Sequence, residues 1–477
     1  MSDKTPIYII GAGLAGSECA YQLAKRGLLV ELIEMRPKKS SPAHMTTKPA
    51  ELVCSNSFRS NDVSNAVGLL KEEMAKLDSL VIEAAYQAKV PAGSSLAVDR
   101  DVFSNSIQSK LNQFKNLTIR HDVVMGFERD GGQLFINLES GENLKCSKVV
   151  IATGPLTDEP LAKWILESMS EEYLYFYDSI APIVDRDSIN MDIAFRASRY
   201  GKGETAEGDY INCPMDQNQY EKFIEDINAA ELVAVKDFDQ AQFFDGCLPI
   251  EEMVRRGAET LRYGPLKPVG LAKDWVADIK DLKKTDKSKR PHAVVQLRQD
   301  NLHNSLYNMV GFQTRLKWPD QKRIFRSIPG LEQAEFHRMG AMHRNTYICS
   351  PKVLKNGMTH QAFPEIHFAG QITGCEGYVE SAAVGLYVGL FISKQIFGAN
   401  ELTHPPQSTA LGALIHHILN ADGDNYQPMN INFGLFSELT EPVKKFDRKL
   451  LRVKTALNQF RQWYYQNLSD LENQRAA

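Results

Sequence analysis

The chain has 477 residues, with 55 Lys and Arg against 59 Asp and Glu, 43% apolar and 24% charged. That balance excludes a disordered, fibrous or collagen-like protein. A formal net charge of −4 argues against an extended polyanion platform but leaves room for a local basic patch. The length exceeds what one hydrophobic core usually supports, so two domains, or one domain carrying a large insertion, are expected.

The opening MSDKTPIYII lacks the features of a secretory signal, and no apolar run approaches the roughly 18 residues needed to span a bilayer. Seven cysteines, at 19, 54, 146, 213, 247, 349 and 375, are scattered without a CxxC pair. They form neither a disulfide framework nor a zinc site. A cytoplasmic protein is expected, with reduced thiols, no membrane partner and no structural metal.

Residues 6–10, Pro-Ile-Tyr-Ile-Ile, predict a short strand. Ile10 leads into Gly11-Ala12-Gly13-Leu14-Ala15-Gly16, and a helical pattern runs from Glu18 to Arg26, closed by Gly27. Gly11 permits the sharp turn, Gly13 lets backbone approach a pyrophosphate, and Gly16 allows close helix–sheet packing. Leu28 to Ile33 predicts the second strand, with Glu34 at its end, where a carboxylate can accept both ribose hydroxyls. The order of strand, turn, helix, strand and acid predicts a dinucleotide site for FAD or NAD. A helix around Asn65–Leu77 and strands between Leu117 and Val150 follow, and Val149-Val-Ile-Ala-Thr153-Gly154-Pro155 has the form that closes the first half of many flavin folds.

Between about 156 and 335 the character changes to short β-rich runs (Phe195–Tyr200, Ala293–Arg298, Leu306–Gln313) and helices around Gln219–Ala229 and Glu251–Arg262. Lys273–Arg290 reads as a solvated loop and Gly201–Ala206 as a hairpin loop, so a second dinucleotide motif is missing and any NAD(P)H must visit transiently. A glycine-rich return turn comes late, with Gly370, Gln371, Gly374 and Tyr378 ahead of a small-residue helix. It suits the ribityl and pyrophosphate end of a flavin, against the plainer reading of a close-packed helix. The expected fold class is therefore α/β: a Rossmann-like FAD-binding domain of glutathione-reductase type, 1–155 and 336–477, with an inserted α+β substrate domain, 156–335. The tail carries Lys444, Lys445, Arg448, Lys449, Arg452, Lys454 and Arg461 against Asp447, interleaved with aromatics. It reads either as a phosphate-binding helix face or, slightly preferred, as an amphipathic helix packing its apolar stripe.

Two cysteines have unusual settings. Cys54 lies in AELVCSNS (50–57), ahead of Arg59, and Cys247 in FFDGCLPIE (243–251), between a glycine and a proline. Both contexts are polar or turn-forming, as reactive thiols require, although free cysteines are more often buried and structural. With GAGLAGSE (11–18), EMRP (34–37), IATGPLT (151–157), AVVQLRQD (293–300), NMVGFQTRLKW (308–318), MHRNTYI (342–348) and AGQITGCEGYVESAA (369–383), the chain closely resembles the FAD- and folate-dependent tRNA (uracil-5-)-methyltransferase family across nearly its whole length.

The resemblance implies formation of 5-methyluridine at position 54 in the T loop of tRNA, from 5,10-methylenetetrahydrofolate and reduced FAD recharged by NAD(P)H. A related enzyme acting on ribosomal RNA or the wobble uridine is the alternative. Carbon 5 of uridine is a poor nucleophile until a thiolate adds at carbon 6, and a base must later remove the carbon-5 proton. The resemblance implies that Cys54 and Cys247 share this work. Cys247 is preferred as the nucleophile and Cys54 as the proton-handling partner, over the reverse. Tyr378, His343 and Tyr347 are candidate walls for the flat pterin, against surface or core roles. Arg298 is a candidate anion contact, against an ordinary surface salt bridge.

Overall fold

The strand Ile7–Ile10 (β1) is wholly buried and runs straight into the glycine turn, from which the helix Leu14–Ala24 (α1) starts with Gly13 as its N-cap. This computed structural model describes residues 5–41, 43–169, 174–233, 248–271, 291–397, 400–439 and 447–473, the side chains of 174–178, 343, 344, 470, 472 and 473 excepted. The helix begins four residues earlier than its side-chain pattern predicts, because the turn leaves no linker between strand and helix. The second strand, Val30–Glu34 (β2), is likewise shifted and takes in Glu34 itself.

A seven-stranded sheet runs in the order 354–355, 359–360, 366–368, 149–151, β1, β2, 117–121. Its five neighbours from 366–368 to 117–121 are parallel. Ile10 pairs with both Ile33 and Ile151, and Ile151 with Phe368, so these strands end level. The chain leaves β1 towards β2 on one side and returns beside it with 149–151 on the other. A crevice opens at such a switch point, outside the carboxyl ends of the strands. The helix Tyr378–Phe397 packs along α1, and a Cβ on Gly385 would lie 2.2 Å from the Ala15 carbonyl oxygen. The fold is the α/β type expected, with an antiparallel second sheet in its middle third.

That second, antiparallel sheet has six strands in the order 195–197, 210–215, 293–299, 306–309, 183–185, 336–338. Register sorts its faces. Ile211, Leu297 and Met309 are aligned on one face, in the apolar core shared with Phe223, Ile250 and Phe325 of the covering helices. Tyr210, Arg298 and Asn308 are aligned on the other. The strands Leu174–Ile180 and Ala341–Tyr347, which enter and leave this region, pair antiparallel. Segment 198–209 joins the antiparallel strands 195–197 and 210–215. Lys273–Arg290 lies outside the described residues.

The final helix, Arg448–Asn473, buries Val453, Ala456, Phe460, Trp463, Leu468 and Leu471, while Arg448, Lys449, Lys454 and Arg461 stay exposed. Its apolar stripe is packed, with Trp463 Nε1 donating to the Thr403 carbonyl at 2.9 Å. Lys444 and Lys445 lie outside the described residues. Among the described residues no helix is long and apolar enough to cross a membrane.

Candidate active site

A cleft of about 1060 Å³ opens at the carboxyl ends of β1 and β2, lined by Ile10, Gly11, Gly13, Leu14, Ala15, Glu34, the 152–158 turn, Gly370, Gln371 and Tyr378. Gly11 has φ +96°, a conformation that favours glycine, and a Cβ there would lie 2.7 Å from the Ala152 carbonyl oxygen. Gly16 is needed for packing, since its Cβ would lie 1.9 Å from the Gly11 carbonyl oxygen, and neither it nor Ala12 lines the cleft. At Gly13 a Cβ would meet nothing within 4 Å, so protein packing does not explain the absence of a side chain. The empty space in front of a helix N-terminus fits a pyrophosphate.

Glu34 is buried at the cleft edge. Its Oε2 accepts the Ala12 N–H at 2.8 Å, and its Oε1 accepts Nε of the buried Arg36 at 2.7 Å. Burial opposes its ionisation, but the Arg36 hydrogen bond and charge outweigh it and hold the carboxyl below its ordinary range. It therefore presents a charged acceptor with lone pairs to spare for ribose hydroxyls. Arg36 also reaches Glu51 at 3.3 Å, tying the EMRP turn to the segment carrying Cys54.

A second cleft of about 1260 Å³ shares Val53, Pro155, Leu156, Gln371 and Tyr378 with the first. Cys54 lines it. The other five described cysteines are buried, and Cys54 alone among the six is partly exposed. Its N–H donates to the Tyr378 hydroxyl at 2.8 Å, and the Ser55 N–H to the same oxygen at 3.1 Å. Arg100 donates to the Leu52 carbonyl and pairs with Asp300 at 3.1 Å, clamping the loop from the other side. Arg100, Arg298 and Arg338 all lie within electrostatic reach of this partly exposed thiol. Cys247 lies outside the described residues.

A buried lysine braces the same region. Lys71 Nζ donates to the carbonyls of Phe58, Arg59 and Ser60 at 2.9, 3.3 and 2.7 Å. This holds Arg59 at φ +61°, with its guanidinium bridging to the buried Glu380.

Three expectations change. Gly374 lines neither cleft; its positive φ and the Tyr426 ring, 2.5 Å from where a Cβ would sit, explain the glycine. Tyr347 is no pterin wall, because it is 1% exposed and its hydroxyl donates to the Tyr426 carbonyl. Arg298 is not a surface ion pair, since it lies in the sheet with Nε donating to Asn56 Oδ1 at 3.0 Å. The His343 side chain lies outside the described residues. Sequence reading did not single out Arg36, Arg100 or Asn308; each sits inside a motif named above or in LAVDR (96–100), but its contacts come from distant segments.

Comparison with known proteins decides the family. Residues 6–400 match the family model described as Glucose inhibited division protein A. The methylenetetrahydrofolate–tRNA-(uracil-5-)-methyltransferase TrmFO of Desulforamulus reducens is 50% identical over 461 residues, 96% of this chain and 97% of that protein. The chain belongs to this methyltransferase family. The namesake from Bacillus subtilis is 49% identical over 449 residues, 94% of this chain and 95% of its own length. Among solved structures, Aquifex aeolicus GidA shares the fold, with a TM-score of 0.65 at 15% identity, covering 96% of this chain and 74% of the other. The clefts described above are thus those of a TrmFO-family chain.

Proposed function

We propose that this protein methylates carbon 5 of uridine 54 in the T loop of tRNA, with 5,10-methylenetetrahydrofolate as carbon donor, FAD as bound cofactor and NAD(P)H as the source of electrons, in the cytoplasm. The observation that carries the reading is the shared wall between the two clefts: a partly exposed thiol, Cys54, stands at the end of a dinucleotide site. The names and near-complete coverage of the relatives supply the substrates.

In this reading Gly11, Gly13 and the N-terminus of α1 would hold the pyrophosphate, Glu34 the ribose, and Gly370, Gln371 and Tyr378 of the return turn the ribityl end of the flavin. Bound FAD, when reduced, supplies the two electrons that turn a methylene bridge into a methyl group. Cys247 adds to uracil carbon 6, pushing the electron pair of the 5,6 double bond towards carbon 5. Cys54 takes the carbon-5 proton once the new carbon–carbon bond has formed. Tyr378 and Arg100 keep the Cys54 loop in place. A cofactor unit and an inserted substrate unit have support in the separate sheets and cores, with both boundaries moved from 155/156 and 335/336: Leu161 and Ile165 pack in the cofactor core, and strand 336–338 lies in the substrate sheet.

The test is incubation of the purified flavoprotein with an unmodified tRNA transcript, methylenetetrahydrofolate and NADH or NADPH, followed by nucleoside analysis. The expected product is 5-methyluridine in the T loop, dependent on the folate. Its absence, or modification at the wobble position instead, would overturn the reading.

A further inference from the structure

The sheet face turned away from the helices carries a polar row set by register, with Tyr210 opposite Arg298 and Arg298 opposite Asn308. Arg298 and Asn308 line the second cleft beside Cys54, joined by Asn345 from the strand Ala341–Tyr347. All three are nearly sealed, at 9%, 2% and 3% exposure. Two members of the row are anchored in the protein: the Tyr210 hydroxyl donates to the Ala92 carbonyl at 2.9 Å, and Arg298 Nε to Asn56 Oδ1 at 3.0 Å. Asn308 is not. Its Nδ2 is buried and has no hydrogen-bond partner among the described residues. Buried donors are almost always paired, and an unpaired one in a cleft wall marks a place where a ligand acceptor belongs.

The geometry points to Asn308 as the residue that reads the edge of the target uracil, with the Arg298 guanidinium as a second donor beside it. This rests on the proposed uridine methylation and adds how the base is chosen. Uracil presents two carbonyl oxygens flanking one N–H, so a carboxamide pairs with one carbonyl and the N–H, and a donor-only guanidinium suits a carbonyl. Cytosine replaces the outer carbonyl with an amino group, which Arg298 cannot accept from. A pterin edge shares one carbonyl and the N–H with uracil but ends in an amino group where uracil has its second carbonyl, so one of the two donors, from Asn308 or Arg298, is left without an acceptor. Reading a base by its Watson–Crick edge also requires it to be unstacked, as loop nucleotides allow. A site built to hydrogen-bond one functional group rejects the analogue lacking it strongly, because its own polar groups are left unpaired.

The test uses the full-chain flavoprotein and two RNA hairpins that differ only in carrying uridine or cytidine at the target position. Equilibrium binding and single-turnover methylation are measured for the wild type, Asn308→Ala and Asn308→Asp, the last keeping the shape while losing the donor. The expected result is a wild-type preference for uridine that shrinks at least tenfold in both variants, with flavin absorbance and the KM for methylenetetrahydrofolate within twofold of wild type. An unchanged uridine-to-cytidine ratio in Asn308→Ala and Asn308→Asp overturns the inference, as does a wild type that binds both hairpins equally. A tenfold rise in the folate KM with an unchanged ratio assigns the site to the pterin and also overturns it. Should the wild type bind the uridine hairpin without methylating it, the proposed reaction fails, and base reading is judged on the binding ratio alone.

Discussion

The Tyr378 hydroxyl accepts the backbone N–H groups of Cys54 and Ser55 at 2.8 and 3.1 Å, so the return turn of the cofactor unit fixes the loop that carries the thiol. Replacing Tyr378 with Phe keeps the ring and its contact with Phe58, 5.8 Å between centroids, and removes the shared acceptor. Leaving such groups unpaired costs about 1–3 kcal/mol, spent on loosening the Cys54 loop. Methylation is expected to fall about 10- to 100-fold, at about 1.4 kcal/mol per factor of ten. Flavin content, read from absorbance, is expected to be retained. Full activity in Tyr378→Phe would show that the loop is held by Arg100 alone.

The two glycines of the first turn separate ligand binding from folding. Gly13 has room for a methyl group on the protein side, whereas a Cβ on Gly16 would lie 1.9 Å from the Gly11 carbonyl oxygen. Gly13→Ala is therefore expected to fold with a Tm close to that of flavin-free wild type while losing at least tenfold in FAD affinity. Gly16→Ala is expected to lose stability with or without FAD. Calorimetry and flavin titration on both variants check this, and a Gly13→Ala protein that binds FAD normally would remove the pyrophosphate from that position.

The same glycines show which parts were legible in the sequence. Gly16 is dictated by the Gly11 carbonyl five residues before it and Gly11 by its own φ of +96°, so the local pattern suffices, although the Ala152 carbonyl that also closes on Gly11 comes from a distant strand end. Cys54 stood out because its neighbours are polar, and its partial exposure agrees. Gly374 misled because glycine was required by the Tyr426 ring, 52 positions further on, rather than by a ligand. Tyr378 was marked as a flat wall, but its hydroxyl contact reaches across 324 residues of sequence. Arg298 and Asn308 occupy ordinary antiparallel strands, and only the register that aligns them on one face reveals a polar row.

Lys71 gives the stability a pH signature. Burial, with Arg59 beside it, pushes its amine from 10.5 down to about 7. The unfolded chain keeps this proton up to its ordinary value while the folded chain releases it near 7, so unfolding takes up a proton between those limits. Stability from this group therefore rises with pH across that window and is lost as pH falls towards 7. Lys71→Met removes the titration along with three hydrogen bonds to carbonyls. In urea unfolding at pH 7, 8 and 9, the gap between wild type and Lys71→Met is expected to widen by up to about 1.4 kcal/mol per pH unit. Parallel pH profiles would show that Lys71 stays charged in the folded protein.

The basic tail calls for charge reversal rather than truncation. Cutting the chain after residue 440 would remove Phe460 and Trp463, which are 1% and 3% exposed in the packed stripe, so a loss of RNA affinity could not be told from unfolding. Arg448, Lys454 and Arg461 are exposed on the helix that carries this stripe, and changing all three to Glu leaves the stripe intact. If this surface meets phosphates, the triple variant is expected to keep its Tm and flavin content, to bind tRNA at least tenfold more weakly at 50 mM salt, and to show a log–log salt slope shallower by about two to three. An unchanged slope would place the tRNA on another face and leave the helix as packing alone.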